Sequence, residues 1–452
     1  MKTLPAKFLL SVMVVAATCL AADVNAAAKQ SLLTTQQQAL DKVAMSLQAD
    51  SAVKAAREAA FKRWSEQHAA TTADGKATLA GAIDELVYHS LRAAAADDPL
   101  RPVVGWTLAP PYALGALGKT KITGSRFAGD NPDRIYRYAA IDPAWHYEIR
   151  GKRGLRPAQH EFSFESTSSI SLIAPPLVAL FSRDVDVAQD GSFVVTVDST
   201  PADGRRNHLQ LPDGARAVLF RDTLPDWSTD YNSVSITRVD GGGGGDDRPA
   251  ARSHDELVKS ATAIINAAAV GTIFLFDAAD KHPANEIVPF VRPVKWGVPG
   301  NVIGMSRFSL AADEALVITL LPSGANYVGI QLADPWSRAV DYWNHTSSLS
   351  NHQAKANGDG SITYVLSAQD PGVYNWLDNG GLHDGTILTR WELFANPLPP
   401  GDAPQLVREA RVVKLSELAA ALPDGMAKVT PAQRKQQLKT RAAEFAKRVA
   451  LK

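Results

Sequence analysis

Cysteine is almost missing: the 452 residues contain one, Cys19. A single thiol cannot close an intrachain disulfide or supply the paired thiolates of a cysteine-ligated zinc site. An excess of charge of one sign is missing as well. Lys and Arg number 47 against 47 Asp and Glu, a formal net charge of +0. That balance excludes a dedicated nucleic-acid binder, whose phosphate contacts need a basic surplus. Beyond the first 26 residues no apolar run reaches the roughly 18 residues of a transmembrane helix, so no membrane span is expected. There is no GxSxG elbow, no HExxH and no GK[ST] after a glycine run, and hence no motif for a serine hydrolase, a zinc peptidase or a P-loop. No cofactor and no metal ligand set is read.

What is present is ordinary globular material, 45% hydrophobic and 21% charged, punctuated by 31 Gly and 27 Pro. Its length suits roughly two or three domains. Residues 1–26 read as a signal peptide. Lys2 and Lys7 precede the apolar Phe8 to Leu20, and Val24-Asn25-Ala26 offers a small-residue cleavage site. Cleavage there would remove Cys19 and with it any thiol chemistry, and the expected location is periplasmic or secreted. A lipoprotein anchor on Cys19 is the weaker alternative, because Ala16-Ala17-Thr18 makes a poor lipobox.

Residues 27–104 form a helical N-terminal segment, with Leu40, Val43, Ala44 and Leu47, then Leu79, Ile83, Leu86 and Val87, at helical spacing. The expectation is two or three amphipathic helices acting as a solvated cap or spacer. From Trp106 the texture changes to short alternating runs bounded by turn residues. An internal repeat organises them. Asp190-Gly191-Ser192 opens the strand Phe193 to Val197, followed by Asn207, Leu209 and a strand closing at Arg221. Asp359-Gly360-Ser361 opens Ile362 to Leu366, followed by Asn375, Leu377 and a strand closing at Arg390. From Asp to Arg is 31 residues in both. A fourth correspondence is Tyr136–Ile141 before Asp142-Pro143, against Tyr327–Ala333 before Asp334-Pro335. The pattern is a duplicated all-β unit, 105–240 and 271–398. Between the copies, 241–270 combines a Gly241–Gly245 linker with a helix capped by Ser253 and Glu256. A C-terminal extension, 399–452, ends in a helix starting near Thr430-Pro431. Its Arg434, Lys435, Lys439, Arg441, Lys447 and Arg448 suit a solvated helix, or else contact with anionic lipid or polysaccharide.

Several stretches resemble a family of bacterial proteins known as domain of unknown function 1214, often paired with 1254. They are Gly129-Asp130-Asn131-Pro132-Asp133-Arg134-Ile135-Tyr136, Tyr147-Glu148-Ile149-Arg150-Gly151, Leu211-Pro212-Asp213-Gly214-Ala215 with Asp226-Trp227, and Asp370 through Trp376-Leu377-Asp378 to Arg390-Trp391. The resemblance covers roughly residues 100 to 420. It implies paired jelly-rolls: an all-β core of two tandem jelly-roll-like β-sandwiches, with the helical segment, the linker helix and the C-terminal helix added. It carries no activity, since jelly-rolls host many functions. Arg134 departs from the family pattern, which has Asn or another small polar residue there.

The candidate catalytic residues are Asp378, His383 and Glu161. The candidate ligand-binding residues are Asn131, Asp133, Tyr136, Tyr374, Trp376 and Arg390. Glu161 and Glu165 share a strand face about 13 Å apart, too far for a glycosidase pair, so each needs a partner from another strand. The bland alternative for both is a solvated sheet face. Asn131 and Asp133 flank a proline before a strand, which is ordinary turn chemistry or the mouth of a site. Tyr374 to Asp378, with His383, Arg390 and Trp391, form the densest aromatic and polar cluster, suited to stacking on a sugar ring. Its structural alternative puts Trp376 and Trp391 in the core and pairs Asp378 with Arg390. His345, His352 and His383 lie in the second repeat without metal spacing, which leaves a cupin-like metal site as a minor alternative. Asn357 to Ser361 resembles a calcium loop, but Ala368 stands where the twelfth ligand would be. The functional expectation is an exported protein handling a carbohydrate or small organic ligand, with a hydrolase or lyase as its enzymatic form. The alternative is a non-catalytic structural or assembly protein. A small-molecule or glycan ligand and a homo-oligomer are the partners this class allows.

Overall fold

The computed structural model describes residues 31–114, 120–154, 161–171, 176–240, 251–291, 301–396, 398–399, 403 and 405–449. The signal peptide with Cys19, the Gly241–Gly245 linker and His160 lie outside the described residues. Three helices open the described chain: α1 (Thr35–Leu47), α2 (Ser51–Ser65) and α3 (Ala73–Ala96). Each begins where a side chain accepts an orphan backbone N–H, from Thr34, Asp50 and Thr72 respectively. Their apolar stripes, Leu40-Ala44-Leu47, Val53-Ala56-Ala60-Trp64 and Leu79-Ile83-Leu86, are buried. They are not a solvated cap. One continuous core joins them to Ala261 and Ile265, to Tyr136 and Leu219 of the first β unit, and to Met305 and Leu388 of the second. Trp64 stacks on Trp336 at 5.6 Å and donates through Nε1 to the carbonyl of Ala269 at 2.9 Å. Burying such side chains stabilises by about 1.5–3 kcal/mol each, which solvated positions would forgo.

The first β unit contains β1 (Gly105–Thr107), β2 (Tyr112–Leu114), β3 (Thr120–Ile122), β4 (Arg134–Ala140), β5 (Tyr147–Lys152) and β6 (Glu161–Thr167). It continues with β7 (Pro176–Phe181), β8 (Ser192–Asp198), β9 (His208–Gln210), β10 (Ala217–Thr223) and β11 (Ser233–Arg238). A five-stranded sheet, β1-β4-β10-β6-β7, packs against a four-stranded one, β11-β5-β8-β9. Phe162, Phe164, Phe193 and Phe220 meet between them.

The second unit holds β12 (Pro289–Val291), β13 (Val302–Ser309), β14 (Glu314–Leu320), β15 (Ala325–Ala333) and β16 (Ser348–Ser350). Then come β17 (Ile362–Ser367), β18 (Trp376–Asp378), β19 (Asp384–Phe394) and β20 (Val407–Lys414). Its sheets run β12-β13-β19-β15-β16 and β18-β17-β14-β20. The strand orders superimpose one for one, down to the short parallel pairs β8·β9 and β17·β18. The core is therefore mostly sheet, arranged as two like sandwiches with helices around and between them. Gly191 and Gly360 turn at φ of 85° and 81°, the left-handed region that Asp-Gly hairpin turns require.

Two sequence expectations change. The Asp142-Pro143 and Asp334-Pro335 matches are not equivalent, because the strand before the first is β4 and the strand before the second is β15, the counterpart of β6. Asp-Pro simply starts turns. The second sandwich also runs past residue 398, since β20 pairs with β14 up to Lys414.

Between the sandwiches, α4 (His254–Gly271) starts with the Ser253–Glu256 capping box, and α5 (Ile273–Asp280) follows it. The stretch His254–Asp280 is long and apolar enough to cross a membrane by length and composition. Its Ala261, Ile265, Ala268, Leu275 and Phe276 are instead part of the shared core.

The final helix, α6 (Pro431–Ala446), is capped by Thr430 with Gln433. It is neither a solvated helix nor a free basic surface. Arg434, Arg441 and Arg448 recur every seven residues on one face and are buried, while Lys435, Lys439 and Lys447 are exposed. Arg434 binds Asp370 at 2.9 Å in the second sandwich. Arg441 stacks on Trp227 of the first at 4.0 Å and donates to Ser348 Oγ of the second at 2.7 Å. Arg448 donates to the carbonyl of Pro132 at 2.9 Å. The helix thus ties the two sandwiches together.

Candidate functional site

Each five-stranded sheet turns one face to its own sandwich core and the other toward the opposite sandwich. Alternation along the strands assigns the residues. On the first sheet the register gives rows Glu161–Thr223–Arg134, Ser163–Arg221–Tyr136 and Glu165–Leu219–Tyr138 across β6, β10 and β4. On the second it gives Tyr327–Glu392, Gly329–Arg390–Ile303 and Gln331–Leu388–Met305. The two faces meet. Arg134 forms an ion pair with Glu392, both buried. Asn131 Nδ2 donates to Tyr327 Oη at 3.2 Å, and Tyr327 Oη donates to Asp133 Oδ2 at 2.9 Å.

At the edge of this contact lies Glu161, partly exposed at the start of β6. Burial pushes its carboxyl up to about 7, and the negative charge of Glu392 adds to this against the opposing Arg134, Arg183 and Arg221. Two residues along, Ser163 Oγ donates to Glu165 Oε1 at 2.7 Å, and Arg221 Nη1 lies 2.9 Å from the same oxygen. The Arg221 guanidinium also covers the Tyr136 ring at 5.6 Å. Glu161 and Glu165 therefore do not sit on a solvated sheet face, because the second sandwich and the shared core cover it. This contact gathers one carboxyl raised to near neutrality, two carboxylates paired to arginine, and two aromatic rings. That combination suits proton transfer to a bound polar ligand.

The structure gathers Glu161, Asn131, Asp133, Tyr136 and Arg390 around this interface and disperses the rest. Asn131 Oδ1 accepts from the Asp133 N–H at 3.0 Å, the expected turn, and Trp227 Nε1 donates to Asp133 Oδ1 at 2.7 Å. Arg390 holds Gln331 and the carbonyl of Gly129. The aromatic cluster does not converge. Trp391 fills the second sandwich, whereas Trp376 fills a separate core with Leu418 and Ala421 and lies under Arg434. Tyr374 lies beneath Lys355. The Asp378–Arg390 pair does not form, since the two sit on different sheets and Asp378 binds His345 Nδ1 at 2.7 Å. His383 Nδ1 contacts the carbonyl of Leu310 at 3.0 Å, and its N–H donates to Asp74. Among the described residues no group of three His, Cys, Asp or Glu converges as metal ligands.

Glu392, Arg134 and Tyr327 escaped the sequence reading as site residues. Only the repeat could have pointed to them: in the superimposed strand orders Tyr327 occupies the place of Glu161, and Glu392 that of Thr223.

Behind the site, Asp130 is buried and its Oδ2 has no hydrogen-bond partner. Burial pushes its carboxyl up to about 8, Arg126, Arg390 and Arg448 pulling the other way while Glu85 adds to the rise. A carboxyl with a raised folded value binds more protons folded than unfolded. Its contribution is full below the ordinary Asp value near 4 and is lost progressively from there until pH passes about 8. Asp130→Asn is therefore expected to leave the melting temperature near pH 4 almost unchanged and to raise it near pH 9, by a gain on the order of 2–4 kcal/mol. Paired thermal melts at the two pH values check this; parallel curves for wild type and variant would contradict it.

No family model and no curated protein matches the chain. Among solved structures it is similar to an uncharacterised protein of Burkholderia cenocepacia, with 25% identity and a TM-score of 0.67 over 84% of this chain and 100% of that one. It is also similar to a protein of Vibrio parahaemolyticus, with 13% identity and a TM-score of 0.42 over 64% of this chain and 91% of that one.

Proposed function

We propose that the chain is an exported protein of double jelly-roll type that binds a carbohydrate or small organic ligand between its two sandwiches and acts on it as a hydrolase or lyase. The repeated five-plus-four strand order supports the jelly-roll reading, as does the resemblance to domain of unknown function 1214. The observation that carries the activity is Glu161: a partly exposed carboxyl held near 7 beside Glu392, whose charge Arg134 compensates. A carboxyl raised toward neutrality beside an arginine-paired carboxylate is one way a site keeps a general acid at neutral pH.

Glu161→Gln keeps the shape and removes the titration. Turnover of a glycan or organic-acid ester found by screening is expected to fall by about 10²–10⁴. The wild-type rate should decline as pH rises through about 7, and the variant should lose that dependence. The protein is assayed as recovered from the cell envelope, with an intact mass expected to begin at Ala27. Unchanged rates and an unchanged pH profile in Glu161→Gln would defeat the catalytic reading.

A second reading, a non-catalytic assembly protein, has one observation in its favour. The edge strands β7 and β12 of the two five-stranded sheets expose Leu177, Val178 and Phe290, and exposed apolar edges invite self-association. A large closed oligomer with no ligand response in the same screen would favour it.

A further inference from the structure

The duplication allows one half of the molecule to be read against the other at side-chain level. Arg390 on β19 lies beside Gln331, which is two residues past its register partner Gly329 on β15. Arg221 on β10 lies beside Glu165, two residues past its register partner Ser163 on β6. The pairs Arg390–Gln331 and Arg221–Glu165 are therefore the same feature in the two repeats, and Leu388 and Leu219 occupy the same place next to them.

Their occupants differ. In the second repeat the pair grips backbone from the first sandwich: Arg390 Nη2 donates to the Gly129 carbonyl at 2.8 Å, and Gln331 Nε2 donates to the Asp130 carbonyl. Two donors meet two consecutive carbonyl oxygens. In the first repeat, Arg221 Nε and Nη1 and Glu165 Oε2 are buried and make no hydrogen bond. The Nη1 contact with Glu165 Oε1 supplies the charge pairing but not the hydrogen bonds. The Glu165 side chain is 1% exposed and that of Arg221 14%, so part of the arginine side chain alone reaches solvent. Buried polar atoms are almost always satisfied, and an unsatisfied group costs about 1–3 kcal/mol.

We infer that Arg221 and Glu165 form a ligand subsite for a neutral polyhydroxylated molecule, with vicinal hydroxyls taking the place that two peptide carbonyls take in the other repeat. Replacing the Gln331 carboxamide by the Glu165 carboxylate turns one donor into an acceptor. The ligand must then present an acceptor to Arg221 and a donor to Glu165, and a hydroxyl pair does both. An anionic ligand is disfavoured, because Arg221 and Arg134 are already charge-paired with Glu165 and Glu392 and leave no free cation to hold it. The inference rests on the cleft reading above, since Arg221 and Glu161 share one sheet face, and it narrows that reading to neutral sugars.

Calorimetric titration of the full mature protein uses two sets of probes: cellobiose, maltose and chitobiose, against glucuronic and galacturonic acids. At least one neutral sugar is expected to bind and neither uronic acid to bind more tightly. Glu165→Gln recreates the pair that the second repeat already accommodates, so it is expected to fold while weakening the neutral sugar tenfold or more. Arg221→Lys, which keeps the charge but loses the guanidinium fork, should weaken it similarly. Binding of uronic acids alone, absence of any neutral-sugar binding, or full affinity in both variants overturns the inference. Full affinity in these variants together with a Glu161→Gln effect would leave the cleft reading standing without this subsite. No response in any of the three variants would remove both.

Discussion

Arg134→Asn is expected to cost roughly 3–5 kcal/mol of folding stability, the cost of stranding a buried charge. The Arg134 and Glu392 side chains are 5% and 4% exposed and pair directly across the two sandwiches. Asparagine is too short to reach across and leaves the Glu392 carboxylate uncompensated. The double variant Arg134→Asn, Glu392→Gln should recover most of the loss, because a neutral amide is far cheaper to bury than an unpaired carboxylate. Urea midpoints for wild type, both single variants and the double variant decide the matter. A loss below about 1 kcal/mol, typical of surface ion pairs, would show that the pair is solvated in solution and that the cleft is open at that point.

Trp227→Ala is expected to cost a similar amount, roughly 3–5 kcal/mol as for other large buried aromatics, and to loosen the C-terminal helix. Trp227 is 5% exposed, stacked beneath Arg441 and Arg448, and edge-on to Tyr342 and Phe445. Its Nε1 also satisfies Asp133. Removing the ring therefore takes away a cation–π platform, core volume and the hydrogen bond of a buried carboxyl together. Trp227→Phe keeps an aromatic ring under the arginines while losing the hydrogen bond and part of the volume, for about 1–3 kcal/mol. Limited proteolysis should cut within residues 423–449 sooner in the alanine variant than in wild type. Equal cleavage rates would mean that α6 is held by its polar anchors, Arg434 on Asp370, Arg441 on Ser348 and Arg448 on the Pro132 carbonyl, without Trp227.

The local features were legible in the sequence because local chemistry dictates them. Ser253 and Thr430 announce helix starts through a side-chain oxygen placed to accept the first free N–H groups. Asp190-Gly191 and Asp359-Gly360 announce turns because glycine alone enters positive φ without strain. Alternation within Glu161–Thr167 put Glu161 and Glu165 on one face, and the spacing to Arg221 and Arg390 revealed the duplication. What lies opposite that face is a long-range matter. Glu161 and Glu392 are 231 positions apart in sequence, and no periodicity encodes which sheet covers which. A helical stripe reads the same whether it meets water or a second layer of protein, and so α1 to α3 looked like a spacer and α6 like a basic surface. Composition marked Tyr374 to Trp391 as a site because aromatic and polar residues crowd there in sequence, but β18 and β19 belong to different sheets and carry them to separate cores. Sequence by itself determined the elements and their repetition, since those depend on neighbours a few residues away. Only the tertiary structure decided that the two outer faces meet, because that contact depends on the shared helical core driven between them by burial.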